Sequence, residues 1–339
     1  MYGLLLAPPL VSAGDMPCMA DLSDNDLGGG TMSSNSTEAR TTESTGRWNL
    51  RTKTLGGRSF WGDVTFYSGW RIQQNVFTKH YRLINPRDVR YAWGSIDQCQ
   101  AKLRALRADG TIPPMAGKAC ILVHGIIRSS KSLSSFRTSL EEQGYTVIGF
   151  DYPSTRGSIT QSAEYLRKVI DSLEGIDQID FVVHSMGGLI VRALLTLEPD
   201  CRLHRMVMIA VPNLGAELAD RFRNYRLFRL LYGPAGQQLA TDPNGLIPQL
   251  PTPPFEFAVV AGTRGKETGY NPLLPGEDDG TVTVDSTRLP GATDFLCARG
   301  LHSFLLDSCE VVAATVRFLQ TGALRESGEK EPIPSRLDR

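Results

Sequence analysis

The chain has 339 residues, and its 36 Lys plus Arg balance 36 Asp plus Glu, so it carries no general field to gather nucleic acid or an anionic membrane. Its 41% hydrophobic and 21% charged fractions match soluble globular averages, which excludes a wholly disordered or membrane-embedded chain. The length suffices for one large domain or two modest ones, and for a sizeable core.

Residues 1–13 hold a short apolar run, but no basic residue precedes it and Pro8 and Pro9 interrupt it. A signal peptide needs a basic residue ahead of an unbroken apolar run, so a cytoplasmic location is expected. No stretch approaches the roughly 20 apolar residues of a membrane span. Cys18, Cys99, Cys120, Cys201, Cys297 and Cys309 form no CxxC pair. They are expected to be mostly buried free thiols, Cys120 and Cys297 being in apolar stretches, which points to a reducing compartment. Residues 1–46 read as a disordered leader, since Ser, Thr, Gly and acidic residues from 16 onward leave few large side chains to offset ordering entropy.

An aromatic-rich N-terminal extension follows over 47–116, holding Trp48, Trp61, Trp70 and Trp93. Residues 57–84 read as short extended pieces broken at Gly56-Gly57, Gly62-Asp63 and Ser68-Gly69. Their rings serve either as a layer packed on the main domain or as a surface facing substrate or membrane. Ser95 and Gln98 fit a capping box, and Ile96, Cys99, Leu103 and Leu106 recur at helical spacing.

From 117 to 322, short apolar runs alternate with helical patterns, the signature of a mostly parallel sheet with helices on both faces. Strands are predicted at 119–124, 146–150, 179–184, 205–210 and 256–261. Helical faces are marked by Leu133, Phe136 and Leu140, by Leu166, Val169 and Ile170, and by Leu189, Ala193 and Leu197. A lid-like insertion spans about 214–255, helical around 216–232, and its Leu227, Phe228, Leu230, Leu231 and Tyr232 either line an acyl pocket or rest on the core. Residues 323–339 form a charged tail expected to fray.

Phe181-Val-Val-His-Ser185-Met-Gly-Gly188 puts a Ser between an apolar strand and an amphipathic helix. A sharp strand-to-helix turn lifts the hydroxyl off the sheet edge and sets it at a helix N-terminus. Val183 stands where the Gly-x-Ser-x-Gly pattern has its first Gly. Upstream, Ile121-Leu-Val-His124-Gly125-Ile126 ends a buried strand in His-Gly, the place where an oxyanion hole is built from the N–H of Ile126 and that of Met186. His124 reads as structural. Downstream, Gly276-Glu-Asp-Asp-Gly280 supplies acids and Leu301-His302 opens a helix. The order Ser, Asp, His is that of the α/β-hydrolase scaffold. Asp279 is the first choice for the acid, with Asp278, Glu277 and Asp285 as alternatives. Of the other histidines, His80 lies in the aromatic unit, His184 is expected to point away from the site, and His204 begins a strand.

At these motifs the chain resembles the lipase/esterase-like branch of the α/β-hydrolase superfamily, including bacterial triacylglycerol-lipase-like and inositol-deacylase-like members. The likeness covers about residues 117–320 and includes Asp151-Tyr-Pro-Ser-Thr155, Val211-Pro-Asn-Leu-Gly215 and Asp279-Gly-Thr-Val282. It implies an α/β-hydrolase fold, hydrolysis of a small-molecule or lipid ester through an acyl-enzyme on Ser185, and no metal or organic cofactor. An acyltransferase or thioesterase would use the same three residues, and a non-catalytic binding protein would not need them. Peripheral contact with a lipid interface is compatible with each catalytic reading.

Overall fold

Two sheets organise residues 60–335, the part of the chain that this computed structural model describes. The leader expected over 1–46, and Trp48, lie outside the described residues. The first sheet is an antiparallel meander of β1 (Trp61–Tyr67), β2 (Trp70–Asn75), β3 (Tyr81–Ile84) and β4 (Arg90–Gly94). Ser68 and Gly69, at φ of 43° and 81°, reverse the chain between β1 and β2. Gly62-Asp63 is no break, because both residues pair within β1. Gly62 is there for close packing: a Cβ would fall 2.8 Å from the Tyr165 ring.

Several of the rings pack on one another, while Phe77 and Trp93 remain exposed. His80 meets Trp61 and Trp93 edge-on at 5.0 and 4.8 Å, and the Arg82 guanidinium lies 4.0 Å over Trp61. Helix α1 (Ile96–Ala108) begins with the expected capping box between Ser95 and Gln98 and buries Cys99, Leu103 and Leu106.

The second sheet is wholly parallel, in the order β10-β9-β8-β7-β5-β6. Its strands are β5 (Gly117–Val123), β6 (Thr146–Phe150), β7 (Ile176–His184), β8 (Leu203–Ile209), β9 (Glu256–Thr263) and β10 (Asp294–Arg299). The first five coincide with the predicted strands. β10 was not anticipated, because an edge strand with an interrupted burial pattern lacks the continuous apolar run of a strand covered on both faces.

Side chains of β5 alternate between two core layers as the two-residue period requires. Ala119, Ile121 and Val123 join residues of α3 (Ile159–Asp171) and α4 (Met186–Leu194). Cys120 and Leu122 face the other layer, with α2 (Ser134–Glu142) and α8 (Cys309–Thr321). The meander docks on α3, where the Phe66 N–H donates to Ser172 Oγ at 2.9 Å.

The insertion after β8 carries α5 (Glu217–Phe222) and α6 (Arg226–Gln237), the latter kinked at Gly233-Pro234. Buried Arg192 of α4 donates to the carbonyls of Asn213 at 3.0 Å, Leu250 at 2.6 Å and Pro251 at 3.0 Å, so one guanidinium ties both ends of the insertion to the core. After β9 comes a short α7 (Val284–Thr287).

Two expectations need correction. The chain past Gly322 does not fray before 335: the Leu324 N–H donates to Asp294 Oδ2 at 2.7 Å, and Ile333 and Ala292 share a backbone bond of 2.9 Å. Among the cysteines, Cys99 and Cys120 are buried thiols as expected, but Cys297 and Cys309 are exposed ones. Among the described residues no helix is long and apolar enough to cross a membrane.

Meander and parallel sheet meet at buried charges. Arg71 of β2 lies 2.8 Å from Asp151 and 3.7 Å from Asp63. Asp151 stays below the usual carboxylate range, where the pull of Arg71 overcomes its burial. In Asp63 burial outweighs Arg71, and its pKa is pushed up to about 6. An acid whose folded value exceeds its unfolded value of about 4 contributes stability below pH 4 and loses it as pH rises through 6. The stability of wild type minus that of Asp63→Asn should thus shrink from pH 4 to pH 7 in urea titrations. A difference that stays constant over that range would contradict this assignment.

Candidate active site

β7 runs into α4 through Ser185, whose φ of 53° and ψ of −128° belong to a region that L residues occupy only at a cost of about 1–3 kcal/mol. Its N–H donates to the Ile209 carbonyl at 3.0 Å, and its carbonyl accepts from the Gly188 N–H at 3.1 Å. Two glycines make the reversal possible. A Cβ on Gly187 would lie 2.4 Å from the Val123 carbonyl oxygen, and one on Gly188 would lie 2.5 Å from Val211. Val183, the departure from the usual motif, is fully buried in the same core layer as Val123 and Met208, so a β-branched residue fits at this strand end.

A parallel sheet of order β10-β9-β8-β7-β5-β6, with a strained Ser at the carboxyl end of β7 and an acid and a His arriving after β9 and β10, settles the architecture. The chain has the α/β-hydrolase fold.

Solved structures to which the chain is similar compare as follows. The mature form of the lipase BlEst2 from Bacillus licheniformis is 20% identical over 62% of this chain and 94% of its own, with a TM-score of 0.46. The gene lin2722 product of Listeria innocua is 17% identical over 65% and 98%, with a TM-score of 0.43. The metagenomic carboxyl esterase MGS0156 is 21% identical over 56% and 67%, with a TM-score of 0.42. A family model described as a domain of unknown function (DUF7379) matches residues 89–250, a span that takes in Ser185 and stops short of Asp279 and His302. No curated protein sequence matches the chain.

The predicted acid and base meet. His302 Nδ1 lies 2.7 Å from Asp279 Oδ2, and the His302 N–H donates to the Asp279 carbonyl at 2.8 Å. The other Asp279 oxygen accepts from the N–H groups of Thr281 and Val282 at 2.9 and 2.8 Å, so one oxygen fixes the turn while the second holds the imidazole. The alternatives are engaged elsewhere. Asp278 Oδ1 accepts from the N–H groups of Tyr270, Asn271 and Gly280, Glu277 accepts from Thr263 Oγ1 at 2.7 Å, and Asp285 is exposed beside Arg288.

Ser185 and His302 open onto one cavity of about 520 Å³. Gly125, Ile126 and Ile127 form one wall, while Ala219, Phe222, Phe228 and Tyr232 of the insertion form the apolar roof. Among the described residues, none of the aromatic meander lines it. The Ile127 N–H is already donated to Ser154 Oγ at 3.1 Å, leaving Ile126 as the loop donor nearest Gly125. Met186, the other expected donor, is the first residue of α4. Among the described residues no group of three or more His, Cys, Asp or Glu is placed to hold a metal.

The other histidines sort by environment. His124 stacks on Tyr152 at 4.3 Å with Nδ1 2.8 Å from the Gly125 carbonyl, and burial keeps it neutral by lowering its pKa. His204 is bound to Asp180 at 2.9 Å. His184 does not point away as expected. Its ring sits 4.6 Å from that of His302, and its Nε2–H donates to the His302 carbonyl at 3.1 Å. Burial holds its pKa well below the ordinary value, with the nearby His302 charge pushing the same way. Also unforeseen is the bond from Arg128 to Ser303 Oγ, which joins the loop after β5 to the His302 loop across the cavity mouth.

Gly187→Ala is expected to cost about 1–3 kcal/mol, as overpacking against backbone does. Denaturant titration would read this directly, and a loss under about 0.5 kcal/mol, the scale of an ordinary surface change, would mean the turn tolerates a side chain at 187.

Proposed function

We propose that the protein is a serine hydrolase of carboxylic esters, with Ser185 as nucleophile, His302 as general base and Asp279 as its orienting acid. The observation that carries this reading is that His302, held by buried Asp279 at 2.7 Å, opens onto the same cavity as the strained Ser185. In the reaction, Ser185 Oγ attacks the ester carbonyl and passes its proton to His302 Nε2. The tetrahedral oxyanion accepts hydrogen bonds from the N–H groups of Ile126 and Met186. His302 returns the proton to the departing alkoxide, leaving an acyl-enzyme. A water deprotonated by the same imidazole then releases the acid. Asp279 keeps Nδ1 protonated, so Nε2 is the nitrogen free to act.

Labelling by a fluorophosphonate should vanish in Ser185→Ala. Hydrolysis of p-nitrophenyl esters should fall by at least 1,000-fold in Ser185→Ala and His302→Ala, and by a comparable factor in Asp279→Asn, which inverts the tautomer. Undiminished turnover in a pure Ser185→Ala preparation would assign the nucleophile elsewhere. Competition between water, alcohol and thiol acceptors separates hydrolysis from acyl transfer.

The apolar roof favours an ester with a hydrocarbon acyl chain, and the outer surface of α6 favours contact with a lipid layer. While Phe228 and Tyr232 stack at 4.5 Å on the cavity side, Leu227, Leu230 and Leu231 are exposed at 66%, 68% and 52%. Arg226 and Arg229 lie among them, and no acid occurs between 221 and 232. A helix that exposes leucines beside arginines suits an interface carrying anionic headgroups. In flotation with liposomes, wild type should rise with vesicles containing an anionic phospholipid, and Leu230→Glu/Leu231→Glu should stay below. Equal flotation of the two proteins would remove α6 as the contact.

A further inference from the structure

The loop that carries the Ile126 N–H is strained. Ile127, next to it, has φ of 60°, a left-handed conformation that is an outlier for a β-branched residue. Such a conformation persists only where its surroundings over-determine it, and here three grips come from the turn after β6. Tyr152 OH donates to the His124 carbonyl at 2.6 Å, Ser154 Oγ accepts the Ile127 N–H at 3.1 Å, and Asp151 Oδ1 accepts the Ser130 N–H at 2.8 Å.

That turn is itself held from outside the parallel sheet. Asp151 gives its N–H to Asp63 Oδ2 at 2.8 Å, and its carbonyl accepts the Asp63 N–H at 2.9 Å. Its second carboxylate oxygen accepts from Arg71 Nη1 at 2.8 Å. Arg71 Nη2 reaches on to Asp88 Oδ1 at 2.8 Å, and Gln73 Nε2 braces Asp63 Oδ1 at 2.7 Å. The register of β1 against β2 shifts between Asp63 and Thr65, and a bulge of this kind re-aims a side chain. Asp63 is thereby turned onto the parallel-sheet domain instead of along the meander.

We infer that Arg71 and Asp63 of the meander are positioning residues for ester hydrolysis, acting through Asp151 on the loop that presents the Ile126 N–H to the oxyanion. The inference rests on the hydrolase reading above. The meander touches no substrate; it sets the place of a donor whose full removal costs roughly 100- to 1,000-fold in rate. A displacement of the loop by a fraction of that reach costs less, on the order of 10- to 100-fold.

The test compares wild type with Arg71→Leu, Arg71→Lys and Asp88→Asn in the full chain. For p-nitrophenyl butyrate, Arg71→Leu should lower kcat by about 10- to 100-fold while KM moves less than about 3-fold. Affinity for a trifluoromethyl ketone, which forms the oxyanion adduct, should fall in parallel with kcat. Affinity for the corresponding methyl ether, which forms none, should not follow. A merely structural role would lower the melting temperature without this split. Arg71→Lys, able to keep the Asp151 contact alone, should recover part of kcat. Should Arg71→Leu fail to fold, Asp88→Asn leaves the inner ion pair in place and removes only the outer anchor, with a several-fold loss of kcat and ketone affinity expected. An active wild type whose folded Arg71→Leu or Asp88→Asn keeps kcat within about 2-fold overturns this inference alone. A wild type that turns over no ester overturns the hydrolase reading and this inference together.

Discussion

The reversal at Ser185 sets the terms for the rest of the molecule. All six strands of the main sheet run the same way, so their carboxyl ends share one edge and every loop there competes for the same space. The chain must leave β7 and enter α4 within one residue, and it does so at a φ of 53° that only dense surroundings can hold. Gly187 and Gly188 let α4 close over β5 and the Val211 segment, and the Ile209 carbonyl pins the Ser185 N–H. A looser arrangement would let the backbone relax into the ordinary left-handed or extended wells and drop the hydroxyl back against the sheet.

Burying charge is costly unless each ion finds partners, and the molecule concentrates its buried charge where loops must be aimed. Arg71 with Asp63 and Asp151 joins meander to sheet. Asp279 with His302 joins the turn after β9 to the loop after β10. Arg192 spends its donors on backbone carbonyls at both ends of the insertion. Apolar residues in these positions would pack with less penalty but would leave three mobile segments without a fixed direction.

Much of this was legible without coordinates, and the reasons are physical. The capping box at Ser95 and the run Leu166, Val169 and Ile170 are local signals, decided within a few residues. The strands β5 to β9 show themselves because burial on both faces leaves continuous apolar runs, while β10 at the edge does not. That Asp279 meets His302 beside the cavity that Ser185 lines is legible through chain order. The choice between Asp278 and Asp279 is not, since adjacent residues differ only in which oxygen meets the imidazole. Arg71 and Asp151 are eighty positions apart, and no spacing rule joins them. Position 184 misleads for a related reason: alternation puts it on the other side of the strand from Val183, but beyond the strand end that side is occupied by the returning His302 loop.

His184 is bonded covalently to Ser185 and, through its Nε2–H, to the main-chain carbonyl of His302. In the language of machine tools it works as a common datum: the two parts whose spacing matters are located from one reference instead of through the long path by way of β8, β9 and β10. A displacement accumulated along that path is opposed at the last joint by this one hydrogen bond. The spacing of Ser185 and His302 is thus set locally, at the edge of the sheet, as well as through its interior.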